Sequence, residues 1–398
     1  MIRSTVARVD LAALQANFRA IRAFVTGPGL SPLDLGLVPA PTHSGSLSGR
    51  PAVIAVVKAN AYGHGDGPVA LALEQAGATM LACADIEEGI VLRQAGVTVP
   101  ILVFGALSVS DLDGLFEFSL TPTISTPSAA RAVQAAAASR KTTVGYHLKV
   151  DTGMNRLGFR HDNLRWTLPG VLESPNLRLD AIYTHFATAD DPSHTLFGEQ
   201  RVRFEEAVQT VAALGVSKIL RHTANSAALL RDSRVWYDLV RPGLLLFGIV
   251  PPPLASTLDL QPVMSLTSRV VAVKGLRPGE SVGYGGRFRA ELPTTIAVVP
   301  AGYADGLDLR LAGRGQALIR GRRVPIIGAV SMDMITVDVT EVDIVQPGDE
   351  VTLIGRQGHE TWQRIDIREM AAAIGTIPYE IACRIGARIE RQYSVLPS

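Results

Sequence analysis

Residues 53–65 read VIAVVKANAYGHG, an apolar, β-branched run that passes straight into Lys58 and then into a glycine-punctuated turn. A short buried strand that ends at a turn opening a helical stretch is the repeating unit of a parallel α/β sheet. The unit recurs downstream. Candidate strands begin near Val53, Met80 (MLACA), Ile101 (ILVFG), Thr123 (TI), Val144 (VGYHLKV), Leu179 (LDAIYTHF), Ile219 (ILRHT) and Tyr237 (YDLV), with helical stretches such as ALALEQAG, AARAVQAAAASR and FEEAVQTVAALG between them. Eight such units predict an α/β fold with a closed (β/α)8 TIM-like barrel rather than an open doubly wound sheet. Lys58 then stands at the carboxyl end of the first strand, at the mouth where such barrels keep their sites. Its buried valine neighbours predict a partly desolvated amine with a lowered pKa, competent as a nucleophile toward an aldehyde. Read alone, the same lysine could simply cap a strand.

Upstream of this stretch, VDLAALQANFRAIRAF has the spacing of an amphipathic helix with Asp10 as its N-cap. Residues 26–51 are dense in Gly, Pro and Ser and read as a long flexible loop. Beyond about residue 260 the texture changes. SLTSRVVAVKGLRPGES, TTIAVVPAGYADG, RRVPIIGAVSMDMITVDV and DIVQPGDEVTLIG alternate valine and isoleucine between Pro-Gly and Gly-Arg punctuation, which predicts a mostly antiparallel β domain followed by a last helix over IREMAAAIG. The expected organisation is a lead-in strand at 1–10 associated with the β domain, a barrel over 11–258 and the C-terminal β domain over 259–398.

Of 398 residues, 47% are hydrophobic and 19% charged, which excludes a disordered chain. Thirty-eight basic against 37 acidic residues leave a net charge of +1, so neither nucleic acid nor an anionic membrane surface is expected as a partner; the expected ligand is small. Arginines scattered through the first 22 residues interrupt any secretion signal, and no apolar run reaches the roughly 18 residues of a membrane span, so a cytoplasmic protein is expected. Cys83 and Cys383, each in an apolar run, give no disulfide framework and no metal site, and two buried, reduced thiols are expected.

The motifs VKANAYGHG, HLKVDTGMNRLGF, THFATAD, HTANSAA, VRPG, VGYGG, AGYADG, SMD and IPYE follow one another in order from residue 55 to about 380. Together they resemble the bacterial alanine racemases, fold type III enzymes that use pyridoxal phosphate. Two departures stand out: residues 26–51 look like an insertion, and Ser331 stands where many relatives carry cysteine.

The resemblance implies that Lys58 forms the Schiff base with the cofactor and that Arg241 faces the pyridine nitrogen. An arginine with pKa above about 12 does not give up its proton, so that nitrogen stays unprotonated and the ring is a muted electron sink, suited to moving one α-proton. For the phosphate, the resemblance implies Tyr62, Tyr379, Asn225 and Ser226 at a helix start, and the backbone of Gly243 and Leu244. Racemisation removes a proton from one face of the α-carbon and returns one to the other, which calls for two bases. Lys58 supplies one, and the resemblance assigns the other to Tyr284, assisted by a hydrogen-bond relay of His185 and Arg241. Arg156 and the Met332 backbone N–H are implied for the substrate carboxylate, with Lys149 as a carbamate that pins Arg156. The family meets its two bases across a homodimer, so Tyr284, Met332, Asp333 and Tyr379 are expected from the partner subunit.

The activity so implied is interconversion of L- and D-alanine, serving peptidoglycan supply or alanine catabolism. A racemase of serine or of longer amino acids remains the nearest alternative. Arg156 and the second base speak against a fold type III decarboxylase, and the β domain with VGYGG and SMD speaks against a non-catalytic pyridoxal phosphate carrier.

Overall fold

The computed structural model describes residues 4–27, 50–107, 111–358 and 362–394. Most of the 26–51 segment, residues 28–49, lies outside them. Eight parallel strands, Ala52–Val56, Met80–Cys83, Ile101–Val103, Thr121–Ile124, Val144–Asp151, Leu177–Tyr183, Leu220–Asn225 and Leu239–Arg241, each pair with the next. The eighth pairs back onto the first through Leu239↔Ala52 and Val240↔Val53, which closes the barrel. The fifth strand shows how the sequence builds it: Tyr146, Leu148 and Val150 alternate with His147 and Lys149, and all five are buried. Alternation sends one set toward the helices and the other into the barrel.

The helix Leu11–Thr26 begins where expected, with Asp10 Oδ1 accepting from Ala13 N at 2.9 Å. Leu14, Phe18, Ile21 and Val25 form its buried stripe. Asn17, fully buried in that stripe, is satisfied by donating to the carbonyls of Leu246 (3.0 Å) and Gln261 (2.7 Å) and accepting from Gln261 N (2.7 Å). It therefore pins the segment that leaves the barrel to the helix that enters it.

Phe159–Arg160 extends the barrel sheet, Ser281–Val282 pairs with Phe288–Arg289 as a separate ribbon, and most of the remaining strands form a second, mostly antiparallel sheet. Val6–Asp10 belongs to it, lying antiparallel to Met264–Arg269 (Val6↔Thr267) and parallel to Glu390–Ser394 (Val6↔Glu390). A separate apolar core fills this domain, including Leu266, Val299, Leu318, Val337 and Leu353. The helix expected over IREMAAAIG is present as Ile367–Ala373 but is not the last: Pro378–Cys383 follows and reaches back to the barrel mouth. A Cβ on Gly63 would stand 2.1 Å from Ala382 O, and the Arg391 guanidinium and Tyr393 hydroxyl donate to the carbonyls of Gly63 and His64. Of the two cysteines, Cys83 is buried but Cys383 is exposed, against expectation: Ile381 and Ala382 are the buried face of that helix and Cys383 ends it on the other side. Among the described residues, no helix is long and apolar enough to cross a membrane.

Candidate active site

The first barrel strand ends at Val56, and Lys58 follows on an unusual turn. Ala59, Asn60, Ala61 and Tyr62 all have φ between 50° and 55°, four consecutive non-glycine residues in the left-handed region. Each costs roughly 1–2 kcal/mol, so the turn persists only because its surroundings hold it. His64 is one support: its Nδ1 lies 3.1 Å from Ala61 O and 2.9 Å from Tyr62 O, and its ring stacks on Phe247 at 4.1 Å. With carbonyls as partners Nδ1 must carry the proton, and burial lowers the ring's pKa to about 4. The Lys58 amine is half-buried. Burial, and after it the charge of Arg156, lowers its pKa from the usual lysine value.

Lys58 opens into a cavity of about 410 Å³ whose lining includes Tyr62, Lys149, Arg156, His185, Asn225, Ser226, Arg241, Gly243, Leu244 and Tyr379. A larger cavity of about 870 Å³, between the first helix and the β domain, contains none of the predicted site residues. Arg241, 3% exposed, ends the eighth strand. Its Nη1 donates to His222 Nδ1 (2.9 Å) and His222 O (2.8 Å), and its Nη2 donates to Thr184 O (2.8 Å) and Thr223 O (3.0 Å). Burial brings its pKa down to about 10, lower than the sequence reading assumed, yet the guanidinium stays charged at neutral pH.

Among the hydrogen bonds of the described residues, Arg241 bonds to His222 and not to His185, its Nη groups being taken by carbonyls at two strand ends and by the His222 ring. A guanidinium can only donate, so His222 Nδ1 accepts and its Nε2 carries the proton; Nε2 then donates to His147 Nδ1 at 2.9 Å. The chain Arg241→His222→His147 thus has a fixed direction. Burial pushes the His147 pKa down to about 4, and burial with the Arg241 charge pushes His222 well below the ordinary value. Sequence reasoning missed both histidines. The signal was present in the inward register of VGYHLKV, which places His147 and Lys149 on the same face.

Lys149 is buried with its Nζ 4.6 Å from the Tyr183 ring centroid. Burial first, then Arg241 and Arg156, hold its amine pKa well below the ordinary value. His185 is likewise pushed well down, by burial and then by the Lys149 and Arg241 charges. Asn225 caps the helix Ser226–Arg231 by accepting from Ala228 N at 2.9 Å. Ser226 is therefore not the cap. Its Oγ accepts from Gly243 N (3.0 Å) and Leu245 N (3.4 Å), tying the turn after Arg241 to the helix start.

Tyr379, expected from the partner, is supplied by the same chain. It lines the cavity with its ring centroid 6.1 Å from that of Tyr62, because the helix Pro378–Cys383 packs on the turn after Lys58. Burial raises its hydroxyl pKa to about 12. Tyr284, Met332 and Asp333 do not line this cavity. Tyr284 is 78% exposed on the β domain and Met332 52% exposed. Asp333 accepts from Arg388 Nη2 at 2.8 Å, and Arg388 also holds the fully buried Asp305.

The alanine racemase N-terminal domain model matches residues 44–251 and the C-terminal domain model residues 263–393. The chain belongs to the alanine racemase family. Its activity class is accordingly that of an isomerase. An alanine racemase from Halothermothrix orenii is 37% identical over 392 residues, 98% of this chain and 97% of that one. Among solved alanine racemases, the structure from D-cycloserine-producing Streptomyces lavendulae superposes with a TM-score of 0.87 at 32% identity, over 100% of this chain and 98% of the other. That from Bartonella henselae, 28% identical with a TM-score of 0.82 over 98% and 99% of the two chains, carries covalently bound pyridoxal phosphate. The donor set of this alanine racemase barrel suits such a group. It offers the desolvated amine of Lys58 at the strand-end turn, tyrosine hydroxyls and backbone N–H groups, and at Gly243 a Cβ would stand 2.2 Å from Tyr62 Oη, so the wall there has no spare room for a side chain.

Proposed function

We propose that this chain interconverts L- and D-alanine with pyridoxal phosphate, using Lys58 and the Tyr284 of a second copy as the two bases. The observation that carries the reading is the set of groups around one cavity: the lowered amine of Lys58, the buried cation of Arg241, the cation of Arg156 and the Ser226–Gly243 turn. When bound, pyridoxal phosphate supplies an aldehyde that holds the substrate nitrogen covalently and a conjugated ring that delocalises the electron pair left by the departing α-proton. Lys58 would hold the aldehyde carbon. Tyr62, Tyr379, Ser226 and the backbone of Gly243 and Leu244 would hold the phosphate, with Asn225 shaping the helix start.

Arg241 would face the ring nitrogen. Its hydrogen bonds run to neutral acceptors only, His222 and three carbonyls, so its full positive charge stays available and it cannot protonate the ring. Arg156 and the Met332 N–H of the second copy would orient the alanine carboxylate. Burial lowers the Lys149 pKa and so favours the neutral amine, the form that adds to CO2 with release of a proton to give a carbamate anion that would pair with Arg156. Once displaced by substrate, Lys58 holds or removes the proton on one face of the α-carbon, and Tyr284 serves the other face, with His185 beside the cavity to assist it.

The proposed homodimer is supported by an exposed cluster on the β domain. Tyr284, Tyr303, Met332 and Met334 are all substantially exposed; Tyr303 N donates to Ser331 O, and a Cβ on Gly283 would stand 3.2 Å from Ala329 N, so their turns adjoin. Exposed aromatic and thioether side chains grouped in this way mark an interaction surface. Asp333, fixed by Arg388, lies in the same group. One site serves either direction of the reaction, so D-alanine supply for peptidoglycan and alanine catabolism are both within its chemistry.

The deciding experiment follows α-proton exchange in D2O by the purified protein with pyridoxal phosphate, offering L-alanine, L-serine and L-lysine separately. Deuterium uptake with D product from alanine alone is expected. Lys58→Ala should lose both signals together with the absorbance of lysine-held cofactor, and Tyr284→Phe should keep the cofactor but lose D product. Full activity in Lys58→Ala would sink the reading; exchange without inversion in the parent protein would remove Tyr284 from its role.

A further inference from the structure

The left-handed turn that carries Lys58 needs a tether, and one side chain outside the cavity lining provides it. Glu88 lies in the first turn of the helix Ile86–Gln94, which follows the second barrel strand. The sequence Asp85-Ile86-Glu87-Glu88 has the form of a capping box, and half of that box is made: Asp85 Oδ1 accepts from Glu88 N at 2.9 Å. In the other half the glutamate carboxylate would fold back onto the Asp85 backbone N–H. Here it goes elsewhere. Glu88 Oε2 accepts from Ala84 N at 2.7 Å and Oε1 accepts from Ala59 N at 2.7 Å.

Ala59 N belongs to the peptide that joins Lys58 to the first left-handed residue. Fixing that peptide plane fixes ψ of Lys58, and with it the direction in which the lysine side chain leaves the backbone. Both bonds are short and charge-assisted, the strong class of hydrogen bond. The carboxylate also lies within electrostatic reach of the Lys58 amine, where it opposes the effect of burial.

We propose that Glu88 is a positioning residue for Lys58: its carboxylate staples the peptide after Lys58 to the end of the second barrel strand, so that the amine is presented to the cofactor aldehyde. The inference rests on the assignment of Lys58 made above. It predicts that the speed with which the cofactor-free protein captures pyridoxal phosphate depends on Glu88, separately from how stable the helix is.

The test compares the parent protein with Glu88→Gln, Glu88→Asp, Lys58→Ala and Thr126→Ala. Thr126 caps the helix Pro127–Ser139 by accepting from Ala129 N at 3.1 Å, so its loss weakens a barrel helix remote from the turn. Cofactor-free protein is mixed with pyridoxal phosphate, the rise of lysine-bound absorbance is timed, and the product is reduced with borohydride and mapped to Lys58; Tm is measured on the same samples. Glu88→Gln keeps the shape but loses the charge and one acceptor, and should slow capture about tenfold or more, the scale of a lost charge-assisted bond. Thr126→Ala should lower Tm and leave capture at the parent rate. Capture at the parent rate in Glu88→Gln, with or without a lower Tm, would reduce Glu88 to a helix cap and overturn the inference. Should Glu88→Gln not fold, Glu88→Asp decides: one methylene shorter, it cannot span the two N–H groups, and parent-rate capture by it overturns the proposal equally. Unchanged capture in Lys58→Ala would instead overturn the assignment of Lys58, leaving the two failures distinct.

Discussion

Gly243 has φ of −120° and ψ of −80°, outside the left-handed region, and a side chain there would meet a neighbour. An added Cβ would meet Tyr62 at Oη (2.2 Å), Cζ (2.8 Å) and Cε2 (3.3 Å), and Tyr62 is hemmed in by Phe247 and Tyr379 with ring centroids at 5.3 and 6.1 Å. Gly243→Ala should therefore displace Tyr62, destabilise the fold by about 1–3 kcal/mol as overpacking does, and weaken cofactor binding. Removing the nearest atom in Gly243→Ala/Tyr62→Phe should recover part of the lost stability but not the proposed phosphate contact of the Tyr62 hydroxyl; a double variant no better than the single one in Tm would show that the contact is not the cause. Which individual residues matter was legible wherever a charged side chain sits at a strand end in an otherwise apolar run, as with Lys58 and Arg241. It was not legible for His147 and His222, whose meaning depends on facing each other across a barrel interior from strands 75 residues apart. Nor could residue order show that Tyr379 enters its own chain's cavity, since that follows from the docking of one short helix.

The helix Leu11–Thr26 starts on a residue that also ends a strand of the other domain, so Asp10 is the joint between two sheets. Its carboxylate cap was readable because an N-cap residue followed by an apolar stripe is a local pattern. Asp10→Ala should lower stability by about 1 kcal/mol, Asp10→Ser should restore most of it, and cofactor affinity should be unchanged in both; denaturant melts and cofactor titration check this. The turn after the first barrel strand was legible only in part. Glycines 63 and 65 signalled unusual backbone, but the left-handed run occupies the four residues before them, none of which is glycine. Ala59 through Tyr62 adopt it because Glu88, His64 and the helix Pro378–Cys383 hold them there, and of these only His64 is a sequence neighbour.

Three buried histidines and the partly buried His185 couple the whole molecule to pH. His64 and His147 are held at about 4, and His185 and His222 well below the ordinary value, in each case by burial first. The unfolded chain takes up protons at these sites near pH 6.5, while the folded protein does not until about pH 4 or lower. Their depressed values therefore give stability that is present above about 6.5 and lost as pH falls toward 4, by up to about 1.4 kcal/mol per pH unit for each histidine. The Tm of the cofactor-free protein should fall steeply from pH 7 to 5. His147→Asn, which keeps an acceptor for His222, should flatten the slope by one histidine's share; an unchanged slope would mean that His147 does not titrate as its burial requires. The closed barrel and the separate β domain were legible in eight repeated strand-helix units and the change of texture near residue 260, because each rests on short-range patterning.

The strand Val6–Asp10 lies between Met264–Arg269 and Glu390–Ser394, whereas every barrel strand falls between Ala52 and Arg241. During vectorial synthesis at about 5–20 residues per second, this strand waits on the order of tens of seconds for Glu390–Ser394, and all eight barrel strands are made in between. The barrel can thus close co-translationally while this strand is still unpaired, and the β domain completes itself only once Glu390–Ser394 has been made.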